Sequence, residues 1–229
     1  MRFVGQVGST NAELLADSTA REGDWLVARR QSAGRGRHGR VWDSIPGNFL
    51  GSTLVELRPH DPSPSTLSLL AGLALVEAVT AIAPDRSLSL KWPNDLLLDG
   101  AKLAGVLIER SGDRVVVGTG VNLAGAPRIA GRQIAALDGE TTPDTFAPIL
   151  ADRFAAWLDA WRTTRGQGIV DAWLARAHPV GSLLSVHSGP GQRIDGNFDG
   201  LDPDGALRLR LAGGAVEIVR AGDVTFSVE

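Results

Sequence analysis

Along the first 130 residues, apolar positions gather into short runs bounded by Gly, Pro, Asp and Ser. Asp24-Trp-Leu-Val-Ala-Arg-Arg30 and Phe49-Leu-Gly-Ser-Thr-Leu-Val-Glu-Leu57 are brief and partly alternating, which predicts two strands. Before them, Thr10 and Glu13 stand at capping-box spacing, predicting a helix from about Asn11 to Ser18 with Thr10 as its cap. The long apolar run Leu67 to Ala83 carries Glu77 and Thr80, stops at Pro84 and falls short of the roughly 20 residues needed to cross a bilayer. It predicts a core helix, and no membrane partner. Ser87 to Trp92 predicts a strand, Asp99-Gly100 between Leu96-Leu-Leu and Leu103-Ala-Gly-Val-Leu-Ile carries the type I′ hairpin signature, and Arg114 to Gly118 continues the sheet.

Helical spacing returns behind Thr142-Pro143, where Phe146, Ile149, Leu150, Phe154, Trp157, Leu158 and Trp161 follow one face; a shorter helix is predicted over Ile169 to Ala177. At His178-Pro179 the texture changes to short β-like runs, Leu183 to Val186, Ala206 to Leu211 and Val216 to Val219, between turns such as Gly200-Leu-Asp-Pro-Asp-Gly205. The expected architecture is α+β: a mixed β-sheet body flanked by helices over residues 1–178, and a small β-barrel over 179–229. The second part is too short for a comfortable core of its own and is expected to pack on the first.

Composition narrows the chemistry. A chain of 229 residues without cysteine has no disulfide framework, thiolate zinc site, iron–sulfur cluster or cysteine nucleophile, and fits a reducing compartment. The first residues lack both a basic segment and an apolar core of a signal peptide, so a cytoplasmic location is expected. The four histidines, His38, His60, His178 and His187, are scattered without metal-ligand spacing. With a net charge of −3, anion binding must come from a local basic cluster. Only Lys91 and Lys102 are lysines among 23 basic residues, and they lie in one segment. A chain that otherwise uses Arg has kept two compact ammonium groups side by side.

Gln31-Ser-Ala-Gly34-Arg35-Gly36-Arg37-His38-Gly39-Arg40 concentrates glycine and arginine with no acid inside the stretch. Gly34, Gly36 and Gly39 match G-x-G-x-x-G, but a dinucleotide fingerprint must open a helix, and Val41-Trp-Asp-Ser-Ile-Pro46-Gly47 follows instead. A solvated basic loop and an anion-binding loop both remain open. In the second, backbone N–H groups and guanidinium forks close over phosphate or carboxylate, and the loop is expected to be mobile when empty. No Walker A sequence competes for that role. Lys91-Trp-Pro-Asn94-Asp95 reads equally as a strand end with an Asn-Asp turn. The hairpin at Asp99-Gly100 nevertheless brings it beside Lys102 to Gly105, so two ammonium groups and one carboxylate can share a pocket suited to phosphates and a divalent ion. Gly118-Thr-Gly120-Val-Asn122 allows close approach of a ligand or of neighbouring backbone.

Taken in order, Ser9-Thr10-Asn11, Gln31 with the Gly-Arg-Gly-Arg-x-Gly-Arg loop, Lys91-Trp-Pro-Asn-Asp95, Lys102-Leu-Ala-Gly105 and Gly118-x-Gly-x-Asn122 resemble the biotin protein ligases. The resemblance spans most of residues 9–124, and the tail from about Pro179 looks like that family's C-terminal SH3-like barrel. It implies a class II synthetase-like body and a two-step reaction with MgATP: biotin becomes biotinyl-5′-AMP, then passes to a lysine of a biotin carboxyl carrier domain. By the same resemblance, Ser9, Thr10, Asn11, Gln31, Gly34, Arg35, Gly36, Arg37, Lys102, Gly105 and Gly118 would bind biotin. Lys102 and Arg37 would be catalytic, Arg37, Lys91, Asn94, Asp95 and Asn122 would bind ATP, and Asp95 would hold Mg²⁺. Many bacterial members begin with a helix-turn-helix domain, whereas here the Ser-Thr-Asn motif falls at residue 9, so no specific DNA binding is expected. Two alternatives stand beside this one. A lipoate or octanoate ligase-like acyl-adenylate enzyme shares the body's architecture, though its defining motifs are not found here; a non-catalytic nucleotide- or RNA-binding module would use the arginine loop and the β-barrel tail.

Overall fold

The structure is a computed structural model and describes residues 1–137, 139–189 and 192–226. In chain order its elements are β1 (Arg2–Val7), α1 (Thr10–Ala16), β2 (Trp25–Gln31), β3 (Phe49–Glu56), α2 (Leu67–Ile82), β4 (Leu88–Lys91), β5 (Asp95–Leu98), β6 (Ala101–Ser111) and β7 (Arg114–Val121). There follow α3 (Pro143–Thr163), α4 (Ile169–Leu174), β8 (Leu183–Gly189), β9 (Gln192–Leu201), β10 (Leu207–Arg210), β11 (Val216–Val219) and β12 (Asp223–Phe226).

The seven strands β1 to β7 form one sheet in the order β1-β2-β3-β7-β6-β5-β4. Only β1 runs parallel to its neighbour, and every other pair is antiparallel, so the sheet is mixed as expected. Alternation along the strands sends successive side chains to opposite faces. On one face Phe49 and Val55 of β3 and Val115, Val117 and Val121 of β7 meet α2 and α3 in the main core. On the other, Leu54 and Val116 pack under α1 through Leu14. Helix α2 is apolar almost all round because it lies between the sheet and α3. By length and composition the segment Pro64–Ile82 would also pass as a membrane span, but most of it is buried inside the fold.

The hairpin at Asp99-Gly100 has positive φ at both central residues, 50° and 80°, as a type I′ turn requires. Thr142 caps α3 by accepting a bond from the Thr145 N–H. At α1 the expected cap is displaced by one residue: Ser9, in extended conformation, accepts from the Ala12 N–H. Thr10 lies inside the first turn because its hydroxyl is drawn to Gln31. Helix α4 ends three residues before the expected Ala177, and Leu90 of β4 takes the Arg176 carbonyl instead.

The strands β8 to β12 form a second, antiparallel sheet ordered β11-β10-β9-β8-β12. Among the described residues its end strands do not pair, so the expected barrel is open. Its inner face, with Leu184, Phe198, Leu207 and Leu209, shares one core with α2 and α4. The join is also polar: the Trp92 Nε1–H donates to the Gly205 carbonyl at 2.9 Å, and the Ser65 hydroxyl to the Asp204 carbonyl at 2.6 Å.

Candidate active site

One register line across the large sheet organises the site. Leu50 of β3, Gly120 of β7, Gly105 of β6, Asp95 of β5 and Lys91 of β4 are successive cross-strand partners. Partners directly opposite each other share a face, so the two central glycines leave a trough between an apolar end and a charged end. The next line, Ser52, Gly118 and Leu107, leaves a second gap. Side chains from elsewhere lie in both. A Cβ on Gly120 would stand 2.3 Å from the Trp42 indole, one on Gly105 3.1 Å from both Trp42 and the Lys102 Nζ, and one on Gly118 2.1 Å from the Asn11 Oδ1. Glycine is required here by what rests on it.

At the charged end Asp95 has one oxygen 2.5 Å from the Lys102 Nζ and the other 3.3 Å from the Lys91 Nζ, with its side chain only 12% exposed. Lys102, opposite Leu97, lies on the face of Asp95 two residues away, and the register shift between Leu96 and Leu97 lets Gly105 share it. Lys102 also stands 5.4 Å from the centre of the Trp42 ring, whose face favours a cation. At the other end the Gln31 Oε1 accepts the Thr10 N–H at 2.7 Å and its hydroxyl at 3.0 Å. The buried Ser52 hydroxyl lies 2.7 Å from the Thr10 Oγ1 and 2.6 Å from the Asn11 Oδ1. The Asn11 amide donates to Glu109 and to the Leu107 carbonyl.

Residues 34–42 form a small hairpin over the trough. Arg35 pairs with Val41, the Gly36 N–H donates to the Arg40 carbonyl, and the Trp42 N–H to the Gly34 carbonyl. Gly34 itself does not line the cleft: a Cβ there would meet the Trp42 carbonyl at 2.7 Å, so its work is to let the hairpin close. Arg37 donates to the Gly222 carbonyl at 3.0 Å and lies 3.8 Å from Asp223, to which Arg40 is also bonded. Burial pulls the Arg37 guanidinium below its ordinary value, against the opposing pull of Asp223 and Asp95. Burial also raises the Asp223 carboxyl, but the Arg40 hydrogen bond and the charges of Arg40, Arg37 and His38 outweigh it and leave the group below the ordinary range.

Together these walls enclose a cleft of about 760 Å³. Ser9, Thr10, Asn11, Gln31, Arg35, Gly36 and Arg37 line it from one side, and Lys91, Asn94, Asp95, Lys102, Gly105, Gly118 and Asn122 from the other. Two of these amides are turned to the backbone: Asn94 Nδ2 donates to the Val106 carbonyl, and Asn122 Nδ2 to the Ala135 carbonyl. Asn122 thereby anchors the wall formed by Pro127, Ile129 and Arg132, which sequence reasoning missed. It also missed Trp42, although its place directly after the arginine loop was a signal, and Asp223, which stands 183 residues from Arg40. For a metal, Asp95 offers one carboxylate; among the described residues no three His, Cys, Asp or Glu side chains gather as a self-sufficient metal cage.

Residues 5–124 match the biotin/lipoate A/B protein ligase family, and residues 186–227 the biotin protein ligase C-terminal domain. The chain is 39% identical to a biotin–acetyl-CoA-carboxylase ligase of Paracoccus denitrificans, over 98% of this chain and 99% of that one. It is 37% identical to the protein of the same description from Mycobacterium tuberculosis, over 96% of this chain and 86% of the relative. Among solved structures, the biotin protein ligase of Aquifex aeolicus in complex with biotin and ATP superposes with a TM-score of 0.86 at 25% identity, over 100% of this chain and 98% of that one. With both regions matched, and with relatives covered almost end to end, the chain belongs to the biotin protein ligase family.

Proposed function

We propose that this protein joins biotin to ATP as biotinyl-5′-AMP, releasing pyrophosphate, and then transfers the biotinyl group to a lysine of a biotin carboxyl carrier domain. The observation that carries this is the glycine-floored trough running from the Thr10–Gln31–Asn11 network to the Lys102–Asp95–Lys91 cluster. Such a trough suits a molecule with a ureido ring at one end, a hydrocarbon middle and a carboxylate at the other. Ser9, Thr10, Asn11 and Gln31 receive the ring, Trp42 with Gly105 and Gly118 the middle, and Lys102 the carboxylate.

The first step forms a bond from a biotin carboxylate oxygen to the α-phosphorus and breaks the bond to the β-phosphate bridge. In the second, the acceptor amine attacks the acyl carbon, AMP leaves with the bonding pair, and the amine loses a proton. Both reactants of the first step are anions, so the site must offset their repulsion and hold them in line. Lys102 pairs with the carboxylate, Lys91 with phosphate, and Arg35, Gly36 and Arg37 close over the adenylate. Asn94 and Asn122 hold the walls on the nucleotide side. Asp95 would hold a Mg²⁺ ion as a single carboxylate, and the ion, when bound, would neutralise triphosphate charge. We further place the division between catalytic and C-terminal parts at residues 178 and 179, and the enzyme in the cytoplasm, where its ATP is made.

Pyrophosphate release from ATP, measured with biotin, with lipoate and with neither, tests the reading. Release that depends on biotin is expected. Release driven by lipoate and not by biotin would move the chain to the lipoate branch, and none in either case would remove the activity.

A further inference from the structure

The arginine hairpin contains no acidic residue of its own, yet Arg37, His38 and Arg40 all converge on one carboxylate, Asp223. We propose that Asp223 is a positioning residue of the ligase reaction: it tethers the Gly34–Trp42 hairpin to the C-terminal sheet and so governs retention of the activated intermediate. The proposal rests on the function proposed above for its second half; the tether itself does not.

The anchor is fixed. Asp223 opens β12 opposite His187 of β8, and Gly222 before it runs so close to β8 that a Cβ would stand 3.0 Å from the Val186 side chain and 3.1 Å from the His187 carbonyl. The hairpin is the weaker partner. Two main-chain bonds join its arms, Gly36 N–H to Arg40 and Trp42 N–H to Gly34, while Arg35, Arg37 and Arg40 crowd like charge into a few residues. Asp223 offsets that charge from outside. Asp95, the other carboxylate that attracts Arg37, already engages Lys91 and Lys102. Arg37 is thus held between the C-terminal sheet and the lysine cluster, and its bond to the Gly222 carbonyl sets its height over the trough. If the tether loosens, the hairpin opens more often and water reaches the mixed anhydride, which then yields biotin and AMP without an acceptor.

Asp223→Asn keeps the shape and removes the charge; Asp223→Glu keeps the charge. In the ligand-free protein, amide exchange at Gly36 and Trp42 is expected to rise about fivefold in D223N, a size suited to partly exposed ion pairs, and to stay near wild type in D223E, with β7 amides and the melting midpoint unmoved. In turnover, D223N is expected to release about fivefold more AMP per biotin transferred and to raise KM for ATP more than it lowers kcat for pyrophosphate release. Unchanged exchange at Gly36 and Trp42 in D223N would overturn the tether. Faster exchange spread over β8 and β12 with a lower midpoint, or no rescue by D223E, would reduce Asp223 to a folding role. Faster hairpin exchange without extra AMP would refute the retention claim, and absence of biotin-dependent pyrophosphate release in the wild type would refute the ligase reading separately.

Discussion

Lys102 occupies a place where three demands meet: it balances one oxygen of Asp95, faces the Trp42 ring and ends the trough. Lys102→Ala is therefore expected to lower biotin-dependent pyrophosphate release about a hundredfold, because one well-placed charge in such a site is worth roughly 3 kcal/mol. Lys102→Arg should recover little, since a planar fork does not fit where a compact ammonium sits beside a half-buried carboxylate. Wild-type-like release by either variant would remove Lys102 from the chemistry. At this scale the sequence was readable where local spacing sets geometry. The Asp99-Gly100 turn sets Lys102 on the face of β5 that carries Asp95, the preceding turn pairs Lys91 with Asp95, and the scarcity of lysine marks the pair. Asn94 and Asn122 were readable only as amides in the right region. That their Nδ2 groups serve the Val106 and Ala135 carbonyls depends on strand neighbours that spacing does not disclose.

Among the elements, the hairpin and the glycine trough define each other. Gly118 and Gly120 said little in isolation, since glycine pairs at strand ends are common; the meaning came from the register of β6 and β7, which puts Gly105 opposite Gly120 beneath Trp42. Gly120→Ala should force the rigid indole aside, because 2.3 Å is far inside contact distance. Overpacking of this kind costs about 1–3 kcal/mol, and here it should fall on the ligand-binding hairpin. Biotin affinity is expected to drop between about tenfold and a hundredfold, with little change in the melting midpoint. In a Trp42→Ala background the same glycine substitution should add almost nothing, as residues in direct contact are not additive. Equal losses in both backgrounds, measured by titration calorimetry, would show that Trp42 is not what Gly120 accommodates. Strand β1 escaped the sequence for a related reason: Arg2–Val7 is a mostly exposed edge strand interrupted by Gly5, so its pairing with β2 leaves almost no hydrophobic pattern.

For the whole molecule, the change of texture at His178-Pro179 and, from the tail's short length, its packing on the body were visible, but the residues that make the shared core were not. Strands β9 and β12 carry many polar outward positions, and their inner residues become legible only against α2 and α4. His178 sits at this join, 7% exposed, with its ring 4.3 Å from that of Phe198 and 5.0 Å from that of Phe226. Burial among these rings, with the nearby charge of Lys91 adding to it, depresses the His178 imidazole to about 4. The unfolded chain titrates this group near 6.5, so between about pH 6.5 and 4 the unfolded state binds the extra proton and stability falls with falling pH. The linkage amounts to about 3 kcal/mol over that window, and it levels off below pH 4, where both states are protonated. The acidic groups whose values are lowered, such as Glu22 and Asp223, lose their contribution mainly below about pH 4.5, so the upper part of the window belongs to the histidine. Denaturant midpoints taken from pH 7.5 to 4.5 should thus decline in the wild type. His178→Phe, which keeps an aromatic ring between Phe198 and Phe226 but cannot take a proton, should flatten the decline. An unaltered slope in that variant would mean that some other group controls the acid sensitivity of the join.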